Sequence, residues 1–221
     1  DTDRSRGLGD VYKRQVVDGR NTSEQDNINI YLNKVNINTS TGPALRINVN
    51  VKATVTIYLT GTNNLITKYT YSAGLQKDNE APLIIKTNDS DTTAGILNAH
   101  GSSDGDGAGI GGSNITINSC SVIASSKYGA GIGGGKQGIG SNITIKSASV
   151  TASSTDGAGI GGGGYGADSG RGSGSDITIN SSSVTASSTN GAGIGGGEGN
   201  SCKNITINNS SVTARACLKN I

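Results

Sequence analysis

An all-β solenoid, a chain wound into stacked coils, is what three observations in the sequence predict. First, GAGIGG occurs four times, beginning at Gly107, Gly129, Gly157 and Gly191, and NITI or DITI four times, beginning at Asn114, Asn142, Asp176 and Asn204. Second, the first three NITI-type blocks are each followed by GAGI 15 positions later, whereas the step from GAGI to the next NITI varies as 7, 13, 19 and 13. A unit with one rigid part and one length-variable connection is the pattern of stacked repeats, whose extra residues leave the stack as loops at one corner. Third, the apolar period inside the unit is two rather than 3.6.

Each repeat reads as three short strands in order. Ile115 and Ile117 alternate with Asn114, Thr116 and Asn118; Val122 and Ala124 come next; Ala130 and Ile132 then alternate with Gly129, Gly131 and Gly133. The same series returns as Ile143, Ile145, Val150, Ala152, Ala158 and Ile160, and again from Ile177 to Ile194. Strict alternation over four or five residues marks a strand with one buried face. Three strands joined by Ser/Gly/Asn turns close a triangular coil, and copies pair in parallel at ~4.8 Å. The expected fold is therefore a right-handed parallel β-helix.

Weaker versions lie upstream: Ile28, Ile30 and Leu32 lead to Val35 and Ile37; Val55, Ile57 and Leu59 to Ala73 and Leu75; Leu83 and Ile85 to Leu97 and Ala99. The total is about seven coils from Asn27 onward, a rod of roughly 30–35 Å at that spacing. Stacking is obligatory. About four large aliphatics per coil contribute roughly 6–12 kcal/mol, less than the ~1–2 kcal/mol per residue that ordering the coil costs.

Composition fits this reading. Gly, Ser, Thr and Asn fill 109 of the 221 positions, and aromatics are 3% with no Phe or Trp, which excludes a core built on large rings. A net charge of +2 leaves no electrostatic footprint for nucleic acid. No apolar run is long enough to insert into a membrane. Three cysteines, Cys120, Cys202 and Cys217, lack metal-ligand spacing and cannot all pair with one another.

Residues 1–26 are set apart as a non-native or disordered leader, because GLGDVYKRQ (residues 7–15) matches nothing downstream and resembles a translated sequencing adapter. That implies a metagenomic gene fragment, in which the lack of a signal peptide says nothing of localisation. Residues 27–221 are assigned to the β-helix. ARACLKNI after Val212 replaces the expected repeat, and truncation there is favoured over a cap.

The units GAGIGGGKQGIGSNITIKSASVTASSTD and GAGIGGGEGNSCKNITINNSSVTARA resemble the glycine-rich parallel β-helix repeats of bacterial surface proteins, often labelled carbohydrate-binding or adhesin-like. The resemblance covers residues ~27–215. It implies an extracellular or cell-surface, non-enzymatic segment that projects or adheres, with a polysaccharide or cell-surface glycan as partner. Its repeated residues are structural, so it says more about architecture than activity.

The length-variable corner is the candidate binding surface. It carries Lys136 and Gln137, then Tyr165, Asp168 and Arg171, then Glu198, Asn200 and Lys203. Loops on successive coils should protrude side by side, with Tyr165 stacking on a sugar ring while Asp168 and Arg171 bond its hydroxyls. Tyr69 and Tyr71, in another expected loop, give a weaker aromatic signal. A polysaccharide lyase or hydrolase is the competing reading. It needs carboxylates or Lys/Arg clustered on one face of adjacent coils. His100, the single histidine, follows Ala99 where a strand ends and reads as a surface residue. No cofactor is expected. Calcium is a weak reading of Asp89, Asp91, Asp104 and Asp106, since Tyr128, Asp156 and Asn190 follow at the position of Asp106 and no regular acidic ladder exists.

A third reading is an ice-binding face. The Thr columns (Thr116, Thr144, Thr178, Thr206 and Thr151, Thr185, Thr213) are flanked by Asn, Lys or Ser columns, and strand-to-strand pairing explains them as well. Finally, Gly131, Gly159 and Gly193 read as outward-facing. At those positions either the returning loops or a second molecule approaches the backbone, or glycine is merely tolerated.

Overall fold

The computed structural model describes residues 15–19, 22–164 and 172–216. Its strands form three seven-stranded sheets, and every pairing is parallel between a strand and its copy one coil away. Each coil contributes one strand to each sheet in the same order. In the fifth coil these are Ile132–Gly133, Gly140–Lys146 and Ser149–Ser154; in the sixth they are Ile160–Gly161, Gly174–Asn180 and Ser183–Ser188. We name the three the glycine, isoleucine and serine sheets. The solenoid has seven coils, with no helix among the described residues.

The first coil opens with Gln15–Val17, paired with Leu45–Ile47, ahead of Asn27 where the alternation begins. A strand of three residues with Val16 exposed carries no period-two signal.

Inward columns make the core. Val55, Leu83, Ile115, Ile143 and Ile177 share one register position of the isoleucine sheet, and Ile57, Ile85, Ile117, Ile145 and Ile179 the next inward one; all are buried. Each contributes roughly 1.5–3 kcal/mol by leaving water. Asn63 is a polar residue at an inward position. It pairs in register with Leu97 and is fully buried, accepting from the Val35 amide and donating to the carbonyls of Thr60, Gly61 and Ile96. That substitution of an amide for an aliphatic hides the strand Thr62–Thr67 from a period-two reading of the sequence.

Two columns of left-handed residues shape the coil. Asn114, Asn142, Asp176 and Asn204 have φ of 53–57° and lead into the Ile-Thr-Ile segments. Asn and Asp tolerate this conformation, and here their side chains also bond from coil to coil: Asn142 Nδ2 donates to Asn114 Oδ1 at 2.9 Å, and Asn204 Nδ2 to Asp176 Oδ1 at 2.8 Å. The corner between the isoleucine and serine sheets is turned by Lys34, Ser119, Ser147, Ser181 and Asn209, with φ of 47–52°.

The expectation that Gly131, Gly159 and Gly193 face outward is corrected. All three are buried. A Cβ on Gly131 would stand 2.6 Å from the Gly159 carbonyl oxygen and 2.8 Å from the Ser153 nitrogen, and one on Gly159 would stand 2.7 Å from the Ser187 nitrogen. The glycine strand is only two residues long, and Gly131 lies in the bend before it. There the chain presses against the backbone of the serine sheet, so alternation does not set its direction.

Candidate functional site

At the length-variable corner the described loop residues fold back instead of protruding. After the glycine strand of each of the last three coils, they turn back and bond the preceding coil. The Lys136 amide donates to the Asp106 carbonyl at 2.6 Å, Gly164 to Tyr128 at 2.7 Å, and Glu198 to Asp156 at 2.8 Å. The loops also bond one another, through Gln137 to Gly164 at 2.9 Å, Gly163 to Gly138 at 3.0 Å and Gly197 to Gly172 at 3.0 Å. They touch backbone to backbone, for a Cβ on Gly197 would stand 2.1 Å from the Gly163 oxygen. These loop contacts fall at Gly163 and Gly197; at Gly131, Gly159 and Gly193 the close approach is made by the serine-sheet backbone and the neighbouring glycine segment, not by the returning loops.

Of the sequence-predicted site residues, Tyr165, Asp168 and Arg171 lie outside the described residues. Lys136, Gln137 and Glu198 are exposed on the loop layer, while Asn200 is half-buried, its Nδ2 donating to the Glu198 carbonyl at 2.8 Å. Lys203 is exposed on the strand Cys202–Asn208.

Toward the third coil the glycine column gives way to Gln76, which pairs in register with Gly111. At that step the loop layer ends, leaving a groove of about 350 Å³ lined by Tyr71, Gln76, Asp78, Asp106, Lys136 and Ile139 among others. The Tyr71 ring is 70% exposed and sits edge-on to Tyr69 at 6.0 Å. Arg46 Nε donates to Asp78 at 2.5 Å, Gln76 Nε2 donates to its other oxygen at 2.8 Å, and Lys136 pairs with Asp106 at 3.2 Å. Beside the groove, Lys127 and Lys136 both lie over the Tyr128 ring, at 4.8 and 5.3 Å. An exposed ring rimmed by fixed donors and acceptors can stack on a pyranose face and bond its hydroxyls. The sequence alone marks Tyr71 only as a loop aromatic. Its position four residues before Leu75 matches that of Asp106 before Ile110, and this register is the signal that places it.

The remaining candidates are scattered. Asp89 pairs with Lys86 at 2.6 Å and Asp104 with Lys127 at 3.1 Å, so three of the four acids weighed for calcium each face a lysine. Among the described residues no three His, Cys, Asp or Glu gather as a metal site. His100 is half-buried, its Nδ1 lying 2.7 Å from the Ser125 hydroxyl, and burial pushes its pKa down. Cys120 is buried with its thiol pushed up to about 12 by desolvation, and Cys202 is exposed; Cys217 lies outside the described residues. The threonine columns do stack in register, Thr116 to Thr144 to Thr178 and Thr151 to Thr185 to Thr213.

No curated protein and no solved structure matches the chain. A family model described as a beta helix repeat matches three stretches, residues 115–136, 143–164 and 177–198, each running from the first isoleucine of an Ile-Thr-Ile segment to the start of the returning loop. Together with the three parallel sheets, these matches identify a parallel β-helix repeat region in this chain.

Proposed function

We propose that this chain is a non-enzymatic, extracellular or cell-surface β-helix segment that projects from its parent and adheres through glycan contact where the loop layer over the glycine sheet ends. The observation that supports the reading is the groove beside Tyr71. Its ring is exposed on a rigid scaffold, and the Asp78, Asp106, Gln76 and Lys136 side chains around it are held by one another or by Arg46. Fixed polar groups around an aromatic face lower the ordering cost of binding a sugar. A glycan array supports the reading if the wild type binds and Tyr71→Ala combined with Lys136→Ala loses that signal. Binding to no glycan would leave a bare spacer.

The enzymatic reading has one observation in its favour. Arg46, Asp78, Asp106 and Lys136 do gather on one face of adjacent coils. Each carboxylate is already bonded to a cation from a neighbouring coil, an arrangement that serves structure as well as chemistry. Release of unsaturated or reducing ends from acidic and neutral polysaccharides, abolished by Lys136→Ala, would establish catalysis in place of adhesion.

A further inference from the structure

We propose a second, separate saccharide site at the corner between the isoleucine and serine sheets, taking a neutral, extended polysaccharide that lies along the solenoid axis. At this corner the other described coils pass from one sheet to the next in one or two residues, such as Lys34–Val35, Gly61 or Ser147–Ala148. The third coil alone inserts the segment 88–95 between Leu83–Thr87 and Ile96–His100. That insertion forms one wall of an open groove of about 680 Å³, larger than the groove beside Tyr71.

The wall is fixed in place. The Thr87 hydroxyl donates to the Ser119 carbonyl at 2.5 Å and accepts from the Gly95 amide at 2.9 Å, so it staples both ends of the insertion. The Asn88 amide donates to Leu59 O at 2.9 Å, Asp91 N to Asn88 O at 2.9 Å, and Lys86 pairs with Asp89. A one-off loop held this way on a rigid scaffold is pre-organised to bind.

The chemistry of the floor selects the ligand. Ser119, Ser147 and Ser181 recur once per coil, ~4.8 Å apart, flanked by the Ser121 and Ser149 hydroxyls. Asp89 and Asp91 supply acceptors from the wall. Such a surface matches a polymer that offers one hydroxyl-rich ring per coil. It does not suit a polyanion, because its lysine, Lys86, already pairs with Asp89 and the wall is acidic. Nor does it suit an added peptide strand, because the sheet backbones beneath are bonded from coil to coil.

The test is affinity electrophoresis of the full chain in gels containing neutral glucan, xylan or mannan, comparing wild type, Ser147→Lys and Tyr71→Ala. Lys34 holds the same left-handed corner position with φ of 52°, so a lysine at Ser147 (φ 50°) keeps the fold and fills the groove. Retardation of wild type and Tyr71→Ala by one of these polymers, with at least tenfold weaker retardation of Ser147→Lys, supports the site. Equal retardation of Ser147→Lys and wild type overturns it, as does retardation of none of the proteins. Loss in Tyr71→Ala alone would place neutral-polysaccharide binding at the glycine-sheet groove instead. Thermal melts confirm that each variant is folded.

Discussion

Replacing Gly161 with alanine should destabilise the solenoid far more than the same change at Gly135, a loop-layer glycine that serves as the control. Gly161 has φ of +131° and lies in register between Gly133 and Gly195. A Cβ there would stand 2.0 Å from the Gly195 carbonyl oxygen, about 1 Å inside any contact a real Cβ makes. The dihedral alone costs about 1–3 kcal/mol for a residue with a side chain. Overpacking against backbone that cannot rotate away adds about 1–3 kcal/mol. The expected loss is about 3–5 kcal/mol, on the order of a 10 °C fall in melting temperature for a chain of this size. At Gly135 the nearest atom to an added methyl is the Asp106 oxygen at 3.2 Å, a contact that a shift of a few tenths of an ångström relieves. That variant should melt within about 3 °C of wild type. Circular dichroism melts of both proteins decide the matter. If Gly161→Ala melts as close to wild type as the control does, the close approach of successive glycine strands is not what the geometry says.

Three further outcomes are expected. Burial lowers the Lys77 pKa to about 8, against the opposing charge of Glu80, so between about pH 8 and 10.5 the unfolded chain holds a proton that the native one has lost. Stability should therefore rise with pH across that window, and Lys77→Met should flatten the rise and add about 1–2 kcal/mol at pH 7, read by urea titration; a less stable variant at pH 7 would refute this. Native-state alkylation followed by mass spectrometry should modify exposed Cys202 and spare Cys120, whose thiol is pushed up to about 12; equal labelling would contradict the burial. Asn63→Ala should cost about 2–4 kcal/mol in the same titration, because the buried Val35 amide and the carbonyls it serves lose their partner; a neutral result would mean that these groups find others.

The inward positions of the isoleucine and serine sheets are legible in the sequence because burial of alternate aliphatics is what period two records. Ile115, Ile143 and Ile177 fall where the repeat places them, one coil apart. What escapes is the part of the fold that backbone, not side-chain hydrophobicity, determines. The glycine strands are too short to alternate, and their inward turn depends on the absence of Cβ atoms, which no hydropathy pattern expresses. The corner asparagines and serines look like ordinary polar strand residues until their φ angles are known. The binding surfaces are harder still. The groove beside Tyr71 joins residues from the second-to-third coil connection to Lys136 in the fifth coil's loop, and only the register brings them together. In the corner insertion the sequence displays aspartates and little else, whereas its role as a wall depends on where Thr87 anchors it.

The returning loops overlap like roof tiles. Each is rooted in its own coil yet lies on the coil before it, as Lys136 on Asp106, Gly164 on Tyr128 and Glu198 on Asp156 show. The covering therefore has a direction. Peeling away a later coil strips shelter from its predecessor, whereas losing an earlier one leaves the roof of every later coil whole. Solenoid unravelling should consequently be easier to propagate backward along the chain than forward, although the sheets beneath repeat almost identically in both senses.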